Sequence, residues 1–158
     1  MPANQHSPAD DDLIVVTGGA GFIGSNIVVD LSAAGARVVV CDLFRSGQKW
    51  RNIAGASLYD VVRPEALFEW LERHRDDVGA VIHMGAISST TESNVDNFVA
   101  TNIRLTLDLW QWCTETSKRL IYASSAATYG DGSSGFRDDQ SPAEIGRASC
   151  RERVLRLV

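Results

Sequence analysis

The sequence predicts an α/β fold, a doubly wound parallel sheet, from three observations. Short apolar runs rich in β-branched residues alternate with longer segments of helical periodicity. Three glycines spaced three apart, Gly18, Gly21 and Gly24, separate the first run from the first helical segment. An acidic residue, Asp42, ends the second run. Alternating strands and helices pair in parallel through right-handed crossovers, which places helices on both faces of one sheet.

Each glycine of the triplet has a physical role. Gly18 allows a sharp turn, Gly21 lets the backbone approach a pyrophosphate, and Gly24 lets the helix pack closely on the strand. The free N–H groups and positive dipole end of that helix then bind phosphate oxygens. Because Asp42 follows at about the expected 20 residues, the pattern predicts a dinucleotide site in a Rossmann-like sheet. An ordinary strand–helix turn is the alternative.

The same periodicities predict the other elements. The first helix is expected over 22–34, with Ile23, Ile27 and Leu31 on its buried face and Gly35 as C-cap. Pro64 fits the first position of a second helix. Strands are expected over 13–17, 37–41, 56–61, 80–84 and 119–124, and a long helix over 95–113.

The long helix contains a local conflict. Val95, Phe98, Val99 and Leu109 are expected on its buried face, and Asn102 with Thr106 lies on the same face. Burying an amide costs about 1–3 kcal/mol unless it is hydrogen-bonded. Asn102 therefore either forms hydrogen bonds with neighbouring backbone or lies under the active site, where it donates a hydrogen bond or anchors a water.

Composition excludes several classes of protein. The 158 residues suit one domain, and the net charge of −5 argues against binding to nucleic acid or a membrane surface. No apolar run is long enough to span a membrane, and residues 1–12 resemble a disordered leader rather than a secretory signal. Three scattered cysteines without a CxxC pair predict a reducing, cytoplasmic setting and no metal site.

Candidate site residues gather where parallel strands end. The glycine triplet, Asp42, residues 83–92 and residues 124–130 all follow predicted strands, and ligands of such sheets bind beyond the carboxyl ends. His83 is expected to be packed and hydrogen-bonded rather than catalytic.

Several strings together carry a family resemblance. TGGAGFIG, HMGAISSTTE, YASSAATYGDG and the Asn102–Thr106 spacing resemble the extended short-chain dehydrogenase/reductases. Within that superfamily, the second and third strings are similar to the ADP-glycero-manno-heptose 6-epimerase family. The resemblance covers about residues 13–142. It implies an isomerase that makes the heptose donor of the lipopolysaccharide inner core.

The resemblance also assigns residues. Ser125 matches the active-site serine that contacts the reacting oxygen, and Ser88 and Ser125 are the implied substrate contacts. Asp42 and Leu43 stand at the adenosine ribose, Asp60 and Val61 at the adenine edge, and residues 84–88 along the cofactor. The full set of expected cofactor-binding residues is Gly18, Gly21, Phe22, Ile23, Gly24, Asp42, Leu43, Lys49, Asp60, Val61, Met84, Gly85, Ala86, Ile87, Ser88 and Asn102.

Some residues favour NAD as the cofactor and others favour NADP. Asp42 would bond a ribose 2′-hydroxyl and repel a 2′-phosphate, which favours NAD. Arg45 and Lys49 follow closely, and the family generally uses NADP, whose 2′-phosphate a cation would neutralise. A solvated basic loop is the alternative reading of these cations. We expect NADP, with NAD as the alternative.

The catalytic Tyr-x-x-x-Lys pair of the superfamily is absent from this chain. None of Tyr59, Tyr122 and Tyr129 has a lysine four residues later. From Ile145 the sequence resembles the translation of a sequencing adapter, with a natural basic helix as the alternative. We therefore expect a leader (1–12), a C-terminally truncated NAD(P)-binding domain (13–144) and a non-native tail (145–158). Such a chain is expected to be inactive and prone to aggregation.

The full-length protein is accordingly expected to invert C6 of an ADP-heptose through transient oxidation to a 6-keto sugar. A nucleotide sugar is the expected substrate, and the resemblance implies a homo-oligomer. Two alternatives stay open: a dehydratase or reductase of the same superfamily, and a non-catalytic dinucleotide-binding module.

Overall fold

A five-stranded sheet with the strand order β3-β2-β1-β4-β5 forms the centre of the protein. The strands are β1 (Leu13–Thr17), β2 (Arg37–Cys41), β3 (Leu58–Val62), β4 (Val78–His83) and β5 (Arg119–Tyr122). The pairs β1–β2, β1–β4 and β2–β3 are parallel. The sheet is Rossmann-like, as the sequence predicts.

The computed structural model describes residues 12–45, 47–87 and 94–123. Described residues up to Ile121 belong to one compact unit, and Tyr122 and Ala123 belong to a second. Residues 1–11 of the predicted leader, Ser88, Ser125 and the predicted tail lie outside the described residues.

The inner strands are buried on both faces, as expected for a parallel sheet covered by helices. Val15 and Val16 of β1 and Val38, Val39 and Val40 of β2 are fully buried. Burial of each such side chain contributes about 1.5–3 kcal/mol relative to exposure. β2 has the predicted bounds, whereas β3 and β4 are each shifted by about two residues.

Helices connect the strands. They are α1 (Phe22–Ala33), a 3₁₀ helix (Lys49–Ile53), a 3₁₀ turn (Pro64–Ala66) leading into α2 (Leu67–Arg73), and a helix over 95–115. The last consists of α3 (Val95–Phe98), a π-helical turn (Val99–Arg104) and α4 (Leu105–Glu115). No helix among the described residues has the length and apolar character needed to cross a membrane.

The predicted buried face of α1 is wrong at Ile23, whose side chain is 60% exposed. Gly24 and Val28 are buried instead, and Ile27 and Leu31 are half-buried. Gly24 faces the turn so closely that a Cβ there would collide with the Gly18 carbonyl. Because neighbouring residues point about 100° apart around a helix, this contact turns Ile23 outwards.

The prediction for the long helix is wrong at Val95 and Val99, which are 69% and 42% exposed, and correct at Leu109, which is fully buried. The π-helical turn explains the difference. It inserts one extra residue, which rotates everything before it by about 100° relative to α4. A uniform helical period therefore places Val95 on the buried face with Leu109. In the structure the two side chains lie on different faces of the helix.

Candidate dinucleotide-binding site

The strand order reverses at β1, because β2 and β3 lie on one side of it and β4 and β5 on the other. Ligands of open α/β sheets bind beyond the strand ends at such a reversal. The glycine-rich loop (residues 18–21) follows β1, and the β4 loop (residues 84–87) follows β4. The structure therefore brings both loops to the switch point of the sheet.

The backbones of the two loops are in contact. Gly18 has φ of +65°, and a Cβ on it would lie 2.7 Å from the Gly85 nitrogen and 2.8 Å from the Met84 carbonyl carbon. No side chain fits between the loops at this point. Gly18 is therefore required for its backbone conformation and also for the close approach of the β4 loop.

The N-terminus of α1 is suited to an anion. Its N-cap, Gly21, provides no side chain, no side-chain cap bonds the first turn, and that turn contains no acidic residue. The first intrahelical backbone bond runs from the Ser25 N–H to the Gly21 carbonyl. The Gly21 N–H bonds the Gly18 carbonyl at 3.0 Å, so the groups available to phosphate oxygens are the Phe22, Ile23 and Gly24 N–H groups of the first turn. Phe22 and Ile23 stand exposed beside them, at 88% and 60%.

Asp42 ties the end of β2 to the glycine-rich loop. Its buried carboxylate accepts hydrogen bonds from the Ala20 N–H (2.9 Å), the Leu43 N–H (2.6 Å) and Lys49 Nζ (2.5 Å). Lys49 is 38% exposed, so its ammonium reaches both the carboxylate and solvent. The pair neutralises the negative charge that Asp42 would otherwise present to a ligand.

Asn52 contacts the glycine-rich loop, which the sequence did not lead us to expect. Its side-chain amide donates to the Ala20 carbonyl at 2.9 Å, so the 3₁₀ helix braces the glycine-rich loop. Ile53, the next residue, packs into the core with Ala20 and Val28. Residues three apart share a face of a 3₁₀ helix, and Asn52 follows Lys49 by three. That spacing is the signal that could have identified it.

Asn102, in the π-helical turn, forms two hydrogen bonds with the backbone of the β4 loop. Its Oδ1 accepts from the Ile87 N–H at 2.8 Å, and its Nδ2 donates to the Ile87 carbonyl at 3.0 Å. Asn102 therefore bridges to neighbouring backbone, the first of its two predicted arrangements. π-Helical turns are frequent at functional sites, and this one holds a loop of the candidate site.

His83 is packed and hydrogen-bonded, as the sequence predicts. It is 5% exposed, with Nδ1 2.6 Å from Thr17 Oγ1 and Nε2 3.0 Å from Thr106 Oγ1. Burial lowers the pKa of the imidazole from 6.5 to about 4. The ring is therefore neutral at physiological pH.

Asp60 is not placed beside Asp42. Its carboxylate accepts from Trp70 Nε1 of α2 at 2.7 Å and from the Val61 N–H at 2.7 Å. The β3 residue whose carbonyl bonds the Asp42 N–H, at 3.2 Å, is Val62. Contact of Asp60 and Val61 with an adenine stays a prediction. So do the ligand contacts of Leu43, Met84, Gly85, Ala86 and Ile87, which are half-buried or exposed at the strand ends.

Comparison with known proteins decides the family. The model of the NAD dependent epimerase/dehydratase family matches residues 14–149. The chain belongs to the NAD dependent epimerase/dehydratase family. Among the described residues, no group of three or more His, Cys, Asp or Glu side chains is arranged to hold a metal.

Relatives in the family include heptose epimerases. The ADP-L-glycero-D-manno-heptose-6-epimerase of Fusobacterium nucleatum is 45% identical over 136 residues, which are 84% of this chain and 41% of that protein. The Helicobacter pylori enzyme of the same name matches the fold with a TM-score of 0.65 at 32% identity, over 77% of this chain and 41% of that one.

Another similar structure contains a cofactor. The Bacillus cereus UDP-glucuronic acid 4-epimerase in complex with NAD has a TM-score of 0.63 and 29% identity, over 75% of this chain and 41% of that one. This chain thus spans about two fifths of the length of its relatives.

Proposed function

We propose that this chain is the dinucleotide-binding part of a nucleotide-sugar epimerase that inverts C6 of an ADP-heptose. One observation carries the proposal. At the switch point of the sheet, the glycine-rich loop contacts both the β4 loop and Asp42. The 45% identity to a heptose epimerase supports the substrate. The reaction would serve lipopolysaccharide inner-core synthesis in the cytoplasm, in a homo-oligomer.

The residues present fit a nicotinamide dinucleotide. The uncapped start of α1 would bind the diphosphate, and the Asp42–Lys49 pair would meet the adenosine ribose. When bound, the dinucleotide supplies reversible hydride transfer at C6. The β4 loop would line the cofactor, and Ser125 would polarise the reacting oxygen of the sugar. A tyrosine and a lysine beyond this chain would move the proton.

We propose NADP as the preferred cofactor. Lys49 neutralises Asp42 and keeps its ammonium partly exposed, so a 2′-phosphate would meet a cation rather than an unpaired carboxylate. NAD is the alternative, since the similar Bacillus cereus epimerase is in complex with it.

Lys49→Ala is expected to weaken NADP binding about tenfold or more, and NAD binding much less, because a charge-assisted bond to the 2′-phosphate is lost. Titration of each cofactor, followed by fluorescence, measures both affinities. Arg51→Ala is the matched control, since it removes a cation from the same 3₁₀ helix. The Arg51 guanidinium lies 5.6 Å from the centroid of the Trp50 ring. Unchanged NADP affinity in Lys49→Ala would contradict a phosphate contact.

Activity is tested with the intact gene product, cloned from source DNA. Incubation with NADP and an ADP-heptose is expected to give the C6 epimer, with no net change in nicotinamide absorbance. Accumulation of a keto or deoxy sugar would instead indicate a dehydratase or reductase, and binding without turnover a binding module. The same clone shows whether residues 145–158 belong to the gene.

A further inference from the structure

A chain of hydrogen bonds through His83 joins the β4 loop to the 95–115 helix. The Gly85 N–H lies 3.2 Å from Thr17 Oγ1, and that hydroxyl is 2.6 Å from His83 Nδ1. On the other side of the ring, Nε2 is 3.0 Å from Thr106 Oγ1, which is 3.2 Å from the Asn102 carbonyl.

The groups at the two ends of the chain fix the direction of every bond. The Asn102 carbonyl can only accept, so the Thr106 hydroxyl donates to it and its oxygen accepts from His83 Nε2–H. In the neutral ring Nδ1 then carries no hydrogen and accepts from the Thr17 hydroxyl. The Thr17 oxygen in turn accepts the Gly85 N–H, which can only donate. One tautomer therefore satisfies all four bonds.

The chain acts on backbone at both ends. Thr17 immediately precedes Gly18, whose Cα packs against the Gly85 backbone. Asn102, at the other end, holds both backbone groups of Ile87. The β4 loop is thus fixed at Gly85 through Thr17 and at Ile87 through Asn102.

We propose that His83, as its neutral Nε2–H tautomer, is a positioning residue that sets the β4 loop in the shape that accepts the dinucleotide. Thr17 and Thr106 are its two partners. This inference rests on the proposed dinucleotide site and goes beyond it, because both ring nitrogens of the buried His83 are bonded within the protein and the residue acts through the loop.

The test uses three variants of the intact gene product. Thr106→Val removes the acceptor of the Nε2–H group at nearly constant shape, and Thr106→Ser restores it. Thr114→Val is the matched control, because Thr114 Oγ1 donates to the Trp110 carbonyl at 2.8 Å on the exposed side of the same helix. Dinucleotide Kd, hydrogen exchange of the Ile87 amide and ¹⁵N NMR of the His83 ring are measured for each.

We expect Thr106→Val to weaken dinucleotide binding about tenfold and to speed exchange at Ile87, with Thr106→Ser and Thr114→Val close to wild type. In the wild-type protein the hydrogen is expected on Nε2. Wild-type affinity in Thr106→Val, or a hydrogen on Nδ1, would overturn the proposal. A wild-type protein that binds neither NAD nor NADP would refute the proposed function instead, and the ring tautomer and Ile87 exchange would still decide the role of His83.

Discussion

Gly24→Ala is expected to abolish detectable dinucleotide binding and to lower the free energy of unfolding by about 3 kcal/mol. The new Cβ would collide with the Gly18 carbonyl oxygen and lie 2.9 Å from the Gly18 carbonyl carbon and 3.0 Å from the Gly19 Cα. These are backbone atoms of the glycine-rich loop, so no rotamer change relieves the contact. Denaturant unfolding and cofactor titration of the intact gene product measure the two effects.

Gly55→Ala is the control for that experiment. Nothing lies within 4 Å of a Cβ built on Gly55, so its unfolding free energy should stay within about 0.5 kcal/mol of wild type. Cofactor binding should also be unchanged. If Gly24→Ala behaved like Gly55→Ala, the close packing of α1 on the turn would be refuted.

The unfolding free energy is expected to fall by about 3 kcal/mol between pH 6.5 and pH 4 on account of His83 alone. Burial lowers the pKa of the folded imidazole from 6.5 to about 4. In that interval the unfolded chain takes up a proton and the folded ring does not, so acid favours unfolding. The contribution is fully present above pH 6.5 and entirely lost below about pH 4.

Comparison with His83→Gln isolates this effect, since carboxylates contribute equally to both proteins. The difference in unfolding free energy between wild type and His83→Gln should shrink as the pH falls through that interval. His74→Gln serves as control: His74 stacks on Trp70 with ring centroids 3.9 Å apart, and its carbonyl bonds the Val78 N–H at the opposite end of β4 from His83. A pH-independent difference between wild type and His83→Gln would show that the folded ring titrates normally.

The features that the sequence predicted well are those with local causes. β2 was predicted to the residue because a run of buried valines is bounded by polar residues at both ends. The glycine triplet predicted the turn, since only glycine tolerates the φ of Gly18 and the contact at Gly24. The position of Asp42 followed from the length of one strand–helix–strand unit.

The features that were missed depend on contacts between distant segments. The outward rotation of Ile23 follows from how closely α1 packs on the turn, and a period of 3.6 residues does not reveal that. The π-helical turn, in which Asn102 is bonded to Ile87 fifteen residues away in sequence, displaces Val95 and Val99 from the predicted face. Trp70, in α2, donates a hydrogen bond to the Asp60 carboxylate of β3. The sequence pattern of a strand does not indicate such a contact with a helix.

The three hydrogen bonds received by Asp42 bear on attempts to re-engineer coenzyme preference. An acidic residue after the second strand bonds a ribose 2′-hydroxyl and repels a 2′-phosphate, so its exchange is one route to admit the phosphate. Here the same carboxylate accepts the Ala20 N–H, so its exchange would also loosen the loop that we propose binds the diphosphate. Redesign of selectivity should therefore begin at Lys49 and its neighbours in the 3₁₀ helix and leave the aspartate untouched.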